Sequence, residues 1–215
     1  MSAPTIDELL VADDGALWAD LGFAVSDGCC ELGRVRPRFL PDPSARGIVG
    51  WSLRDLVDTE LDGLPTTISE RPPPSRVAAP HPNGVLAIDH VVAMSPSLDR
   101  SVRALQRAGL DLRRIREQPT PAGAPRQAFF RLGPEILELI QEPDDVAQRM
   151  GGVDRPARFW GLALRVENLD QTVALLGARA GAIRPAIQPG RRIATLNRLA
   201  GLAVPLAVMS APEAP

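Results

Sequence analysis

The segment from residue 85 to residue 215 contains an internal repeat, and this repeat limits the folds that the segment can adopt. Similar residues recur at an offset of 66 to 71 positions. The matched pairs are Leu98-Asp99 with Leu169-Asp170, and Arg126, Ala128, Arg131-Leu132 and Gly133 with Arg192, Ala194, Arg198-Leu199 and Gly201. Self-similarity of this kind indicates one supersecondary unit that occurs twice. The sequence therefore predicts two similar modules, at about residues 85–142 and 158–210.

The first module has the pattern of a strand, a helix and three further strands. A helix is predicted from about Leu98 to Gly109, because apolar residues recur there at helical spacing opposite a row of arginines. Apolar and β-branched runs predict strands around His90, at Leu112 to Arg116, at Gln127 to Leu132 and at Ile136 to Gln141. In the second module, the run Trp160 to Val166 corresponds to the first of these strands and the run Val204 to Met209 corresponds to the last.

His90 and Glu138 are ionisable side chains within two of these apolar runs. A buried polar group without a partner costs about 1–3 kcal/mol, so we expect a partner opposite each of them. Alternation along a strand places His90 on one face with Ile88, and Glu138 on one face with Ile136. We therefore expect His90 and Glu138 to line one cavity.

The order of the elements, the run Asp89-His90-Val91 and the position of Glu138, 48 residues after His90, resemble the βαβββ module of the vicinal oxygen chelate superfamily. This superfamily includes glyoxalases, bleomycin-resistance proteins and extradiol dioxygenases. The resemblance implies an α+β fold in which paired βαβββ modules form a curved mixed sheet, or cup, with helices on its outer face and a small-molecule pocket on its concave face. It also implies that His90 and Glu138 match the metal-binding histidine and glutamate of that family.

The second module departs from the pattern at these two positions. His90 falls opposite Gly161, and Glu138 falls opposite Leu206. The family holds its metal with two protein groups from each module, and a tight site generally needs at least three protein ligands. We therefore expect an incomplete metal site and no cofactor. The alternative is a divalent metal at His90 and Glu138, completed by His81 from a linker-like segment, by a second chain, or by water or substrate.

Structural roles for the two residues also stay open. In one alternative His90 is a hydrogen-bonded core residue, and in another Glu138 lies on an exposed edge strand. In a third, the two side chains are hydrogen-bond partners of each other and are the relic of an ancestral site. Alternation places Arg165 on the face of its strand that corresponds to the His90 face of the first module. There it binds an anionic group of a ligand or, in the alternative, it is exposed to solvent at the end of the strand. Phe129 and its neighbour Phe130 share a strand. One of them forms an apolar wall of the pocket, or, in the alternative, it packs against the helix.

Composition excludes several classes of function. The formal net charge is −2, all 24 basic residues are arginine, and the chain has no lysine and no tyrosine. Schiff-base chemistry, pyridoxal phosphate attachment and a Walker lysine each require lysine. Basic patches without interleaved aromatic residues argue against a nucleic-acid partner. No apolar run approaches the roughly 20 residues that cross a bilayer, so no membrane partner is expected. The acidic N-terminus lacks a secretion signal, which makes the cytoplasm the expected location.

The first 84 residues divide into an α+β region at 1–70 and a proline-rich linker at 71–84, followed by a glyoxalase-like domain at 85–215. Thr5 to Asp20 is predicted as one or two short helices, and Gly22 to Val25, Cys29 to Leu40 and Gly47 to Leu53 as strands. This order suggests a degenerate third module. In the alternative, Gly47 to Ile68 caps or completes the sheet of the paired modules. The adjacent Cys29 and Cys30 match no zinc or redox spacing and are expected to be reduced.

Three functional hypotheses follow. The leading one is a glyoxalase-like protein that binds a small molecule without a metal, in a pocket that includes His90, Glu138, Arg165 and Phe129. The second is a metal-dependent lyase, isomerase or dioxygenase that uses His90 and Glu138. The third is a non-catalytic interaction module. Catalytic residues are not assigned, and a homodimer stays an open alternative.

Overall fold

A computed structural model of the 215-residue chain describes residues 3–42, 44–73, 80–120 and 123–211. The N-terminal elements are β1 Thr5–Ala12, α1 Gly15–Asp20, β2 Val25–Ser26, β3 Cys29–Cys30, β4 Arg36–Phe39, β5 Gly47–Arg54 and β6 Thr66–Ile68. The first module contains β7 Val85–Ser95, α2 Leu98–Arg107, β8 Asp111–Arg116, β9 Gln127–Leu132 and β10 Glu135–Gln141, and α3 Asp144–Arg149 follows it. The second contains β11 Arg158–Val166, α4 Leu169–Leu176, β12 Arg184–Pro185, β13 Arg192–Thr195 and β14 Leu206–Ser210. The middle of the predicted linker lies outside the described residues.

The strands form two mixed sheets. The eight-stranded sheet has the order β12-β13-β14-β11-β7-β10-β9-β8, and the six-stranded sheet has the order β2-β3-β4-β1-β5-β6. Within each module the first and last strands are parallel, β7 to β10 and β11 to β14, whereas the remaining neighbours are antiparallel. This topology confirms the predicted α+β fold with paired βαβββ modules.

The N-terminal strand β1 corrects the sequence prediction of helix over Thr5 to Asp20. Residues Thr5–Ala12 form a strand, and the helix is limited to Gly15–Asp20. Short apolar runs fit either structure, and here β1 is buried on both faces and pairs in parallel with β4. The predicted strand from Cys29 to Leu40 is in fact two strands, which a turn around Gly33 joins.

Residues 5–39 thus follow the order strand, helix and three strands, with the first strand parallel to the last. The next two strands, β5 and β6, are also parallel, and they pair within the six-stranded sheet rather than with the paired modules. The assignment of the N-terminal region as a degenerate module stays a prediction, as do the domain boundaries at 1–70, 71–84 and 85–215.

The chain folds into two compact units, and each unit is formed by three separate segments of the sequence. The first unit comprises Met1–Asp7, Gly50–Arg71 and His90–Trp160, and the second comprises Glu8–Val49, Pro72–Asp89 and Gly161–Pro215. In the first unit Trp51 packs edge-on against Phe159, with ring centroids 5.0 Å apart. In the second unit Trp18 packs against Phe23 and Phe39 at 4.8 and 5.1 Å. Among the described residues no helix has both the length and the apolar character needed to cross a membrane.

Candidate functional site

His90 and Glu138 contact each other. The parallel register of β7 and β10 places His90 beside Ile136 and Glu138 beside Val92, so the two side chains lie on one sheet face, one alternation step apart. The His90 Nε2 atom is 3.3 Å from the Glu138 Oε2 atom, and the side chains are only 12% and 14% exposed. A mostly buried carboxylate needs partners of this kind, because an isolated charge in a low dielectric is strongly destabilised.

Gln127 on β9 is a further member of this site that the sequence analysis missed. Its amide Nε2 donates a hydrogen bond to Glu138 Oε1, so both carboxylate oxygens have partners. Gln127 is 2% exposed, and its Oε1 atom has no hydrogen-bond partner among the described residues. Alternation along β9 puts Gln127 on the same face as Phe129, which is the signal that locates it.

The face that carries His90 and Glu138 continues across β9 to the edge strand β8. Strand register aligns Glu138 with Phe129 and Phe129 with Arg114, and it aligns Gln127 with Arg116. We call this surface the His90–Glu138 face; its members are His90, Val92, Met94, Ile136, Glu138, Ile140, Gln127, Phe129, Arg131, Arg114 and Arg116.

The two phenylalanines of β9 have different environments. Phe130 is fully buried on the opposite side of the sheet, together with Leu137 and Leu139. Phe129 is half-buried on the His90–Glu138 face, where the Arg114 guanidinium carbon lies 5.1 Å from its ring centroid. Phe129 is therefore the phenylalanine that a ligand on this face would meet.

The two positions of the second module that correspond to His90 and Glu138 are a tightly packed glycine and a buried leucine. A Cβ atom at Gly161 would lie 2.5 Å from the carbonyl oxygen of Pro205, closer than any side chain allows. Leu206, the counterpart of Glu138, is 2% exposed and pairs with Leu162 in the core of its module. Arg165 lies on β11 in the second unit, where it is half-buried and makes no side-chain hydrogen bond or ion pair with any described residue.

His81 is committed to hydrogen bonds within the second unit. Its Nδ1 atom accepts from the Ala24 N–H at 2.9 Å, and its Nε2 atom lies 2.9 Å from the Glu31 carbonyl oxygen, to which it donates. The ring is therefore neutral with its proton on Nε2. Both nitrogens are used, so His81 anchors the end of the predicted linker and has no lone pair for a metal ion.

The donor set on the His90–Glu138 face does not fit a tightly held divalent cation. A tight site generally needs three or more protein ligands, whereas His90 and Glu138 are directed at each other and Gln127 presents its N–H to the carboxylate. No group of three or more His, Cys, Asp or Glu side chains suited to a metal occurs among the described residues.

Two cavities lie elsewhere, in the second unit. One of about 440 Å³ is lined by Ala24, Val25, Ser26, Asp27, Cys29, Cys30, Glu31, Arg36 and His81. Another of about 350 Å³ lies beside Asp13, Asp42 and Arg46. Cys29 and Cys30 are free thiols, and burial, followed by the nearby Glu31 charge, raises the pKa of Cys30 to about 12, so this thiol stays protonated at neutral pH.

No known protein-family profile matches the sequence, and no curated protein matches it. Solved structures do share its fold. Methylmalonyl-CoA epimerase from Mycobacterium tuberculosis aligns with 65% of this chain and 95% of its own length, at 19% identity and a TM-score of 0.50. A fusion of a xylose isomerase-like TIM barrel with a 4-hydroxyphenylpyruvate dioxygenase aligns with 100% of this chain, at 13% identity and a TM-score of 0.63. The chain spans 50% of that fusion protein. Identities this low show a common fold and nothing finer.

Proposed function

The fold of this chain is that of the vicinal oxygen chelate superfamily, and we propose that the protein binds a small molecule on the His90–Glu138 face without a resident metal ion. The observation that carries this proposal is the contacting group of Gln127, Glu138 and His90 on a sheet face where the adjacent side chains of β7 and β10 are apolar. An apolar surface with a few convergent polar groups is the usual form of a small-molecule site.

The unpartnered oxygen of Gln127 supports the same proposal. A buried carbonyl oxygen without a hydrogen bond costs about 1–3 kcal/mol, and a ligand that brings a donor removes this cost. The opposite amide orientation would bring the Gln127 Oε1 atom against the Glu138 carboxylate, which is unfavourable because both are hydrogen-bond acceptors. The amide is therefore held with its acceptor turned away from Glu138.

The proposal is tested by a thermal-shift ligand screen on the full chain, the His90→Ala/Glu138→Gln double variant and a Glu167→Gln control. Glu167 is exposed, and its side chain makes no hydrogen bond with a described residue. We expect hits whose shift is lost in the double variant and kept in the control. Hits that keep their full shift in the double variant place the ligand elsewhere, for example in the cavity beside His81, and refute the proposal.

A metal-dependent lyase, isomerase or dioxygenase is the second candidate. It is favoured by the positions of His90 and Glu138 on the first and last strands of one module, and by the names of the two fold neighbours, an epimerase and a dioxygenase fusion. Elemental analysis of protein purified without an affinity tag separates the candidates. We expect less than about one tenth of an equivalent of tightly bound divalent metal, because two ligands do not complete a coordination set. Stoichiometric metal that is lost in His90→Ala would establish the second candidate instead.

A further inference from the structure

The edge of the His90–Glu138 face carries arginines without acidic partners. Arg114 and Arg116 on β8 make no ion pair with any described residue, and Arg131 on β9 makes only a long contact of 3.5 Å to the Gly133 carbonyl oxygen. Other arginines of the same unit are paired with carboxylates, Arg100 with Asp62, Arg126 with Asp99 and Glu117, and Arg155 and Arg158 with Glu142. Arg103 and Arg107 on α2 are also exposed and make no ion pair with a described residue, whereas Arg114, Arg116 and Arg131 lie together on the surface that carries the candidate site.

Strand register fixes the distance between these cations and the polar pair. Glu138, Phe129 and Arg114 form one row across β10, β9 and β8. Neighbouring strands are about 4.8 Å apart, so the row places Arg114 about 10 Å from Glu138 at the backbone, with Phe129 midway. In the next row Gln127 has Ile140 on one side and Arg116 on the other.

The side chains of this row change in character from the polar Glu138 through the apolar Phe129 to the cationic Arg114. The Arg114 guanidinium lies over the Phe129 ring, which favours one orientation of the group and leaves its N–H edge open. A planar guanidinium in this state suits bidentate hydrogen bonds to a carboxylate or phosphate. The Glu138 carboxylate repels an anion, so the anionic group of a ligand is favoured at the Arg114 end of the row and its hydrogen-bonding group at the Glu138 end.

We propose that the His90–Glu138 face binds an elongated organic anion. Its carboxylate or phosphate group lies against Arg114 and Arg116, its flat apolar body lies on Phe129, and a hydrogen-bonding group about 10 Å away lies at His90 and Glu138. This inference rests on the proposed function and specifies its ligand class. Neutral and cationic molecules of the same shape bind less well.

The experiment uses one rigid probe in different charge states. Hydroxybiphenyl carboxylate, with its hydroxyl and carboxylate at opposite ends, spans about 10 Å and matches the row. Its carboxamide and amidine are the neutral and cationic counterparts, and the corresponding biphenyl phosphate tests the second kind of anion. Affinities are measured by calorimetry on the full chain, and backbone amide shifts in β8, β9 and β10 locate each probe.

We expect the carboxylate or the phosphate to bind about tenfold more tightly than the carboxamide, which corresponds to one charge-assisted hydrogen bond. Arg114→Gln should lower the affinity for the anionic probe about tenfold and leave the affinity for the carboxamide unchanged. Arg113→Gln is the matched control, because Arg113 is on the same strand but pairs with Asp111 at 3.1 Å. Unchanged amide spectra outside β8 establish that each variant is folded.

The remaining outcomes separate this inference from the proposed function. If the carboxamide binds to β9 and β10 as tightly as the anions, and Arg114→Gln has no effect, the charge preference is wrong while small-molecule binding on the face stands. If the anions bind without shifting amides of β9 or β10, or if no probe of the panel binds, the ligand class is refuted. In that case the hits of the thermal-shift screen, measured again on the His90→Ala/Glu138→Gln variant, decide whether the face itself is the site.

Discussion

At the scale of single residues, two buried glutamates of the first unit differ in what surrounds them. Glu138 is held by His90 and by the neutral amide of Gln127. Glu142 is 1% exposed, and its carboxylate binds the guanidinium groups of Arg155 and Arg158. The charge of Glu142 therefore compensates two cations, whereas Glu138 accepts a hydrogen bond from a neutral amide and lies beside an imidazole ring.

This difference predicts that removal of the charge has a small effect on stability at Glu138 and a large one at Glu142. Glu138→Gln should change the free energy of unfolding by less than about 1 kcal/mol, since glutamine keeps the shape and still bonds to Gln127. Glu142→Gln should destabilise by about 2 kcal/mol or more, because it leaves two partly buried guanidinium groups uncompensated. Thermal and urea unfolding of both variants measure these changes. A drop of several degrees in Glu138→Gln would show that Glu138 is an essential ion-pair partner.

At the scale of elements, strand β11 explains why the second module has no side chain at the position that corresponds to His90. Gly161 sits against the carbonyl oxygen of Pro205, just before the parallel ladder that joins Leu162 to Leu206. Leu162 N–H donates to the same Pro205 carbonyl at 3.0 Å. The close approach of two backbones is what glycine permits, so tight strand pairing and a metal-binding side chain exclude each other at this position.

Gly161→Ala should accordingly destabilise the protein by about 1–3 kcal/mol, the usual cost of forcing a methyl group into a packed region. Gly181→Ala is the milder comparison, since its Cβ would lie 3.2 Å from the Thr195 carbonyl oxygen. The melting temperature should fall more in Gly161→Ala than in Gly181→Ala. An unchanged melting temperature in Gly161→Ala would mean that β11 and β14 separate at little cost.

At the scale of the whole molecule, each compact unit contains segments from both halves of the sequence. In the first unit Trp51 packs on Phe159, and in the second unit the Ala203 N–H donates a hydrogen bond to Asp13 Oδ1 at 2.9 Å. Buried aromatic contacts such as that between Trp51 and Phe159 contribute strongly to stability. The likeness to the dioxygenase fusion likewise extends over the entire chain.

A chain that begins at Pro80 should therefore be less stable than the full chain, although it retains both repeated modules. It loses the partner of Phe159 and exposes part of the first unit, so we expect a lower melting temperature and more aggregation. Circular dichroism and size-exclusion chromatography measure both. Equal stability would support an autonomous domain at residues 85–215, as the sequence predicts.

The sequence by itself indicated the repeated modules, their main strands and a common sheet face for His90 and Glu138, and it left direct contact between these two residues as one of several alternatives. The reason is that alternation along a strand fixes which side chains share a face, and the repeat fixes which strands correspond. Within the modules, the predicted strand Gln127 to Leu132 agrees with β9, and the other strands differ at their ends by a few residues.

Only the tertiary structure decided the features that depend on partners distant in sequence. β1 is a strand because it pairs with β4, although its apolar spacing also suits a helix. Phe129 rather than Phe130 faces Glu138 because the register of β9 and β10 sets this choice, and the alternation of β9 alone leaves it open. His81 is anchored by Ala24 and Glu31, more than 45 residues away. Such pairings are fixed by the burial of donors and acceptors in the folded chain, which no local pattern encodes.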